Sequence, residues 1–186
     1  MELPDAIKNR RAVRDYTDTA ITRSEIESII SAAIEAPSAM NLQPWSFAVV
    51  TNRDHIADYG KRAKEWLLAD LSRNAFGDHA RQMLQDPAFN IFYNAPALVL
   101  VMAKSSSSQA SEDACLAAQN LMLAARDRGL GTCWIGFARP WLNLPATKDE
   151  LGLPAQCQVV APIVLGHPKA WPASHGRNPA EIFWLK

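Results

Sequence analysis

No run of 18 apolar residues occurs in this 186-residue chain, so nothing in it is long and apolar enough to span a bilayer as a helix. The N-terminus, Met1-Glu2-Leu3-Pro4-Asp5, has neither the basic nor the apolar part of a leader segment. Charge of one sign is missing as well. Nineteen basic residues balance nineteen acidic ones, and a formal net charge of zero supplies no global field for a polyanion. Cysteine is scarce: Cys115, Cys133 and Cys157 lie far apart without a C-x-x-C, and an odd number makes a poor disulfide framework. These absences read as a soluble cytoplasmic protein in a reducing compartment, with no membrane and no nucleic acid among its partners.

The familiar catalytic motifs are absent too. Without G-x-G-x-x-G there is no Rossmann dinucleotide site, and without G-x-S-x-G there is no serine-hydrolase elbow. Gly131 and Gly136 have the glycine spacing of a P-loop, but Phe137 and Ala138 stand where Lys and Ser/Thr must hold phosphate and Mg²⁺. His55, His79, His167 and His175 show neither H-E-x-x-H nor a zinc spacing with the cysteines, so no metal site is expected.

What remains is an ordinary globular composition, 48% hydrophobic and 20% charged. A chain of this length buries roughly 70% of its unfolded surface and needs no disulfide or structural metal. Residues 1–186 read as one domain, with strands separated by helices in an α+β or α/β arrangement. Thr22-x-x-Glu25 is a capping box that opens a helix with Ile26, Ile29, Ile30, Ala33 and Ile34 on one stripe, ending before Pro37. Residues 46–51 read as a strand and 52–70 as a helix broken at Gly60. The polar, mixed stretch from Ser72 to Asn94 reads as a mobile covering segment rather than core.

Ala97 to Ala103 is almost wholly apolar, the pattern of a strand buried on both faces. A helix from about Ser111 to Arg128 follows, ended by Gly129. Its alanine face suits close approach of a second helix, within the chain or across a subunit boundary. Gly131–Gly136 and Val159–Leu165 read as further strands, with Pro162 marking an edge or a bulge, and Thr147-x-x-Glu150 as the start of a short helix. The proline-bearing tail after Gly166 is expected to wrap over a surface.

Two clusters carry chemistry. Arg10-Arg11-Ala12-Val13-Arg14 sets guanidinium forks on one side of a helix end, which suits a phosphate dianion or simply complements the helix dipole. Pro37-Ser38-Ala39-Met40-Asn41-Leu42-Gln43-Pro44-Trp45 is a stiffened loop offering neutral donors and acceptors, either to an uncharged heterocycle or merely as a connection anchored by Trp45.

Arg10-Arg11-x-x-Arg14-x-Tyr16 and Ala36-Pro37-Ser38-x-x-Asn41-x-Gln43-Pro44-Trp45 resemble the opening signature of the FMN-dependent nitroreductase family. Ala118-Gln119-Asn120-Leu121-x-Leu123-Ala124-Ala125, the run Gly129 to Gly136, and Gly166-His167-Pro168 through Arg177-x-Pro179 are similar to its later segments, in order. The chain departs from the family at Ala12, where many relatives have serine, and is shorter than the larger members. The resemblance implies an α+β three-layer sandwich, a central mixed sheet flanked by helices, assembled as an intertwined homodimer with FMN at the subunit interface. It implies that Arg10, Arg14 and Arg177 hold the phosphate, with Arg11 and Ala12 near the flavin pyrimidine. Pro37, Ser38, Ala39 and Asn41 would reach FMN from the other subunit. Trp134, Ile135 and Gly136 would line the ring near N5, and His175 would stand where some relatives place a basic residue.

The implied activity is hydride transfer from NAD(P)H through flavin N5 to a nitroaromatic, quinone or similar small electrophile, by a ping-pong cycle without an indispensable catalytic side chain. Reductive dehalogenation, enal reduction and non-catalytic flavin binding are alternatives. Acceptor choice is expected to lie in the segment from Ser72 to Asn94.

Overall fold

Ala97–Ala103 (β2) is buried along its whole length because both of its faces are covered. Leu98, Leu100 and Met102 point into one core, while Ala97, Val99, Val101 and Ala103 point into another, the period-two alternation of a strand. The computed structural model describes residues 1–69 and 77–185. In it β2 pairs with Trp45–Val50 (β1) on one side and Gln158–Gly166 (β4) on the other, and Gly131–Trp134 (β3) completes the sheet in the order β1-β2-β4-β3.

One core lies between the sheet and two helices, Arg23–Ala33 (α2) and Ser108–Asp127 (α5). The opposite core is closed by Arg53–Ala69 (α3), Asp78–Gln85 (α4) and Arg139–Leu142 (α6). Two further short helices among the described residues are Leu3–Asn9 (α1) and Pro145–Glu150 (α7). Helices, sheet and helices make the expected three-layer α+β sandwich. The expected mixed sheet is corrected in detail. Among the described residues the three ladders are antiparallel, and the parallel pairing is the isolated bridge from Ala12 to Thr132.

The capping box forms as read, with Glu25 N–H donating to Thr22 Oγ1 and Thr22 N–H donating to Glu25. α3 runs unbroken through Gly60, however. A Cβ there would meet Phe92 at 3.1 Å and Asn90 at 3.3 Å, so the glycine serves packing and does not break the helix. Within the segment read as a covering piece, residues 72–76 lie outside the described residues. The remainder contributes core: Leu84, Ile91 and Phe92 are fully buried. Helix α5 starts three residues earlier than expected because Ser107 caps it. Its alanine face packs on the sheet and on α2, so the close helix pair lies within this chain. Helix α7 begins at Pro145, and Thr147 is a buried residue inside its first turn instead of its cap.

Pro162 sits in β4, which has a neighbour on each side and is not an edge strand. Its carbonyl accepts from Ile135 N–H at 2.7 Å, just past the end of β3, so its missing N–H faces a position where no ladder bond is needed. The register shift beside it is the expected bulge: Val101 faces Ala161 and Met102 faces Val159, leaving Val160 unpaired.

Candidate functional site

The segment after α1 runs along β3. Val13 N–H donates to Thr132 O at 2.9 Å, Ala12 bridges Thr132, and Tyr16 bridges Pro168. Two glycines permit this approach. A Cβ on Gly131 would fall 2.6 Å from Val13, and one on Gly166 would fall 2.5 Å from Tyr16. The segment therefore lies flat against the sheet, with Arg10, Arg11 and Arg14 held at fixed positions along it.

Around these residues the structure gathers positively charged side chains. Burial lowers the Arg10 pKa from its ordinary value, and the neighbouring cations Arg177 and Arg11 lower it further. Arg126 on α5 is lowered in the same way, by burial and then by Arg11. Its Nε is buried with no partner among the described residues, and its guanidinium lies 3.5 Å from the Trp171 ring centre. Among the described residues none of Arg10, Arg14, Arg126 or Arg177 forms an ion pair. A cluster of like charges left without counterions fits an external anion, and planar forks at this density match the oxygens of a phosphate.

Beside the cluster is an apolar recess of about 190 Å³ lined by Arg14, Tyr93, Cys133, Trp134, Ile135 and Gly136 among others. The Arg14 guanidinium stands 5.9 Å from the Tyr93 ring centre. Burial raises the Tyr93 hydroxyl pKa and also pushes the Cys133 thiol up, in the latter case against the pull of Arg14 and Arg10. Gly136 is exposed, with open space where a Cβ would be, so its backbone is accessible to a flat ligand. A wider cleft of about 800 Å³ adjoins across Trp134 and Gly136 and contains Arg139 and Asn143.

The sequence-expected residues thus separate into two groups. Arg10, Arg11, Ala12, Arg14, Trp134, Ile135, Gly136 and Arg177 belong to one neighbourhood. Pro37, Ser38, Ala39 and Asn41 do not join it, since their loop is held at the other end of α5, where Ala39 N–H donates to Asp113. His175 is exposed, and the structure brings it into no described contact with the cluster. Tyr93, Asp113, Arg126 and Trp171 were not singled out from the sequence. The first two carry signals only in hindsight, a tyrosine before Asn-Ala-Pro and an acid within an alanine-rich helix.

A sheet between two helix layers, with arginines that form no ion pair among the described residues beside an exposed strand end, defines an α+β protein with a site that fits a flat, phosphate-bearing ligand. The pattern of the Nitroreductase family matches residues 7–167, and the chain belongs to that family. It is 34% identical over 168 residues to a protein of Archaeoglobus fulgidus that carries the name NADH dehydrogenase/NAD(P)H nitroreductase, covering 88% of this chain and 83% of the relative. It is 32% identical over 184 residues to the NADPH-flavin oxidoreductase of Vibrio harveyi, covering 96% and 70%. Among solved structures it is similar to a nitroreductase with bound FMN from Bacteroides fragilis, with a TM-score of 0.84, 26% identity and full coverage of both chains.

Proposed function

We propose that this protein is an FMN-dependent oxidoreductase that takes reducing equivalents from NAD(P)H and passes them to a small electrophile such as a nitroaromatic or quinone. The observation that carries the reading is the arginine cluster, with Arg10 and Arg126 half-buried, Arg14 and Arg177 exposed, and none of the four in an ion pair among the described residues, beside the apolar recess at Trp134–Gly136. Arg10, Arg14 and Arg177 would hold the cofactor's phosphate, with Arg11 and Ala12 toward the pyrimidine edge. Trp134, Ile135 and Gly136 would line the ring, and a backbone N–H there can donate to it. Bound FMN would supply hydride transfer at N5. The arginines favour added negative charge on the ring system, and the buried walls exclude water. With one face open, donor and acceptor must use it in turn, which gives ping-pong kinetics.

The site needs a second copy. The recess of about 190 Å³ and the adjoining cleft of about 800 Å³ share Trp134 and Gly136, and neither is lined by a residue of the 37–41 loop. Asp113, which holds the 37–41 loop, and Arg126, which adjoins the arginine cluster, are 13 residues apart on α5, about 20 Å along the helix. One chain's loop is therefore remote from its own arginines and is free to serve a partner's. Exposed Met40, Leu42, Leu116 and the tail run Ile182–Leu185 supply apolar surface for that partner.

The test is the visible spectrum of purified protein and its anaerobic titration with NADH and NADPH. The expected result is about one FMN per chain, bleached by a nicotinamide and restored by a nitroaromatic or quinone. Arg177→Ala is expected to weaken FMN binding roughly ten- to a hundredfold, the effect of losing a charge-assisted hydrogen bond worth about 1.5–3 kcal/mol. Wild-type protein that stays colourless and ignores added FMN removes the reading.

A further inference from the structure

We propose that Asp113 is a positioning residue that holds the 37–43 loop in the shape with which it completes the partner subunit's cofactor site, an inference that rests on the flavin reading above. Asp113 is only 2% exposed, yet among the described residues it forms no ion pair. Its described contacts are neutral. The backbone N–H of Ala39, 74 residues away in the chain, donates to Oδ1 at 3.2 Å, and Gln109 Nε2 donates to the same oxygen at 3.3 Å. A carboxylate in such a place is costly to desolvate, and an alanine at 113 would continue the small-residue face of Ala110, Ala114, Ala117 and Ala118. The acid is explained by what it holds.

The loop it faces is strained. Met40, Asn41 and Gln43 have φ of 52°, 54° and 48°, all in the left-handed region and none of them glycine. The bonds inside the loop are local: Gln43 N–H to Ser38 Oγ at 3.0 Å, Gln43 Nε2 to Asn41 Oδ1 at 2.9 Å, and Asn41 N–H to Ser38 O at 3.1 Å. They fix the loop's curvature, and its two flanks are held by Ala36 and Trp45, buried against Ala117, and by Lys104 N–H donating to Pro44 O at 2.7 Å. Among the described residues, the hydrogen bond that ties residues 38–43 to the body of the fold is the one from Ala39 to Asp113. Asp113 itself sits on the packed inward face of α5, so its oxygen is a fixed point for Ser38, Ala39 and Asn41.

The test compares Asp113→Ala with Asp113→Asn and reads FMN affinity by flavin fluorescence, with circular dichroism and light scattering as controls. Both described bonds end on one oxygen, which asparagine retains, so Asp113→Asn is expected to bind FMN within threefold of wild type. Asp113→Ala is expected to bind at least tenfold more weakly while remaining folded. Asp113→Ser, whose arm is too short to reach Ala39, repeats the deletion if the alanine chain does not fold. The decisive measurement is a mixed dimer of an Asp113→Ala subunit with an Arg177→Ala subunit, made by co-expression with two tags. One of its two sites then combines intact arginines with an intact loop. Bound flavin is expected to rise toward one FMN per mixed dimer, above either parent homodimer. An Asp113→Ala protein that binds FMN within threefold of wild type overturns the proposal. So does a mixed dimer that regains no flavin, because a general packing defect would not complement in trans. Wild-type protein unable to bind FMN would instead remove the flavin reading itself.

Discussion

At the scale of single residues, the arginines were legible because their chemistry is written in the side chain, whereas Tyr93, Arg126, Trp171 and Asp113 gain meaning only from what the fold sets beside them. Arg126 is one basic residue among nineteen until Trp171, 45 positions later, comes within 3.5 Å of its guanidinium. Cys133 shows the converse. It lies in the recess, where a sequence search for nucleophiles would stop, but the thiol is buried and its pKa is raised, chiefly by desolvation. A thiol held protonated is a poor nucleophile. Cys133→Ala is therefore expected to keep FMN and to turn over within about tenfold of wild type, the modest effect of repacking one small site. Normal flavin reduction with reoxidation slowed a thousandfold or more for every acceptor would place the thiol in the reaction.

At the scale of elements, the strands and the long helices were readable from periodicity, and the errors fell where tertiary contacts override a local rule. Gly60 is a helix breaker by propensity, but Phe92 packs against its bare Cα and α3 continues. Leu84, Ile91 and Phe92 are spread through polar sequence, so no periodicity announced their burial. Gly131 gives the cleanest test of how the N-terminal segment is held. In Gly131→Ala the new Cβ would lie 2.6–2.9 Å from three Val13 side-chain atoms. Overpacking of this kind costs about 1–3 kcal/mol, several degrees of Tm in a chain of this size. Because Val13 lies between Arg10 and Arg14, FMN affinity should fall with stability; unchanged Tm and affinity would refute this packing. The capping box of α2 gives a pH test. Hydrogen bonds from Thr22 lower the Glu25 pKa from its ordinary value. Its stabilisation is therefore present above the unfolded carboxylate pKa, near 4.3, and is lost as pH falls through the lower folded value. Thr22→Ala should cost about 1 kcal/mol at pH 7. Thermal melts should show the gap from wild type narrowing below about pH 4, and a gap independent of pH would contradict the coupling.

At the scale of the whole molecule, the three layers follow from the two faces of β2, whereas the proposed homodimer draws on surfaces that one chain leaves bare. In the sequence the alanines of α5 suited a close helix partner either within the chain or across a subunit boundary. In the structure Ala118 and Ala125 are fully buried against the sheet and α2, so a large charged residue at either position would unfold the protomer before it tested any interface. The residue to change is Leu116, on the outward side of the same helix and 45% exposed. In an isolated chain Leu116→Glu touches no core and should leave stability within about 0.5 kcal/mol. In a homodimer whose interface includes α5 it buries an unpaired carboxylate, a change expected to be strongly destabilising. The expected outcome is a folded protein by circular dichroism whose mass in light scattering falls from dimer to monomer. FMN should be lost in parallel, since under the proposed function the 37–41 loop of one copy completes the site formed by the arginines of the other. A wild-type monomer that keeps its FMN, or a Leu116→Glu dimer that binds FMN as wild type does, would show that this face lies outside the assembly.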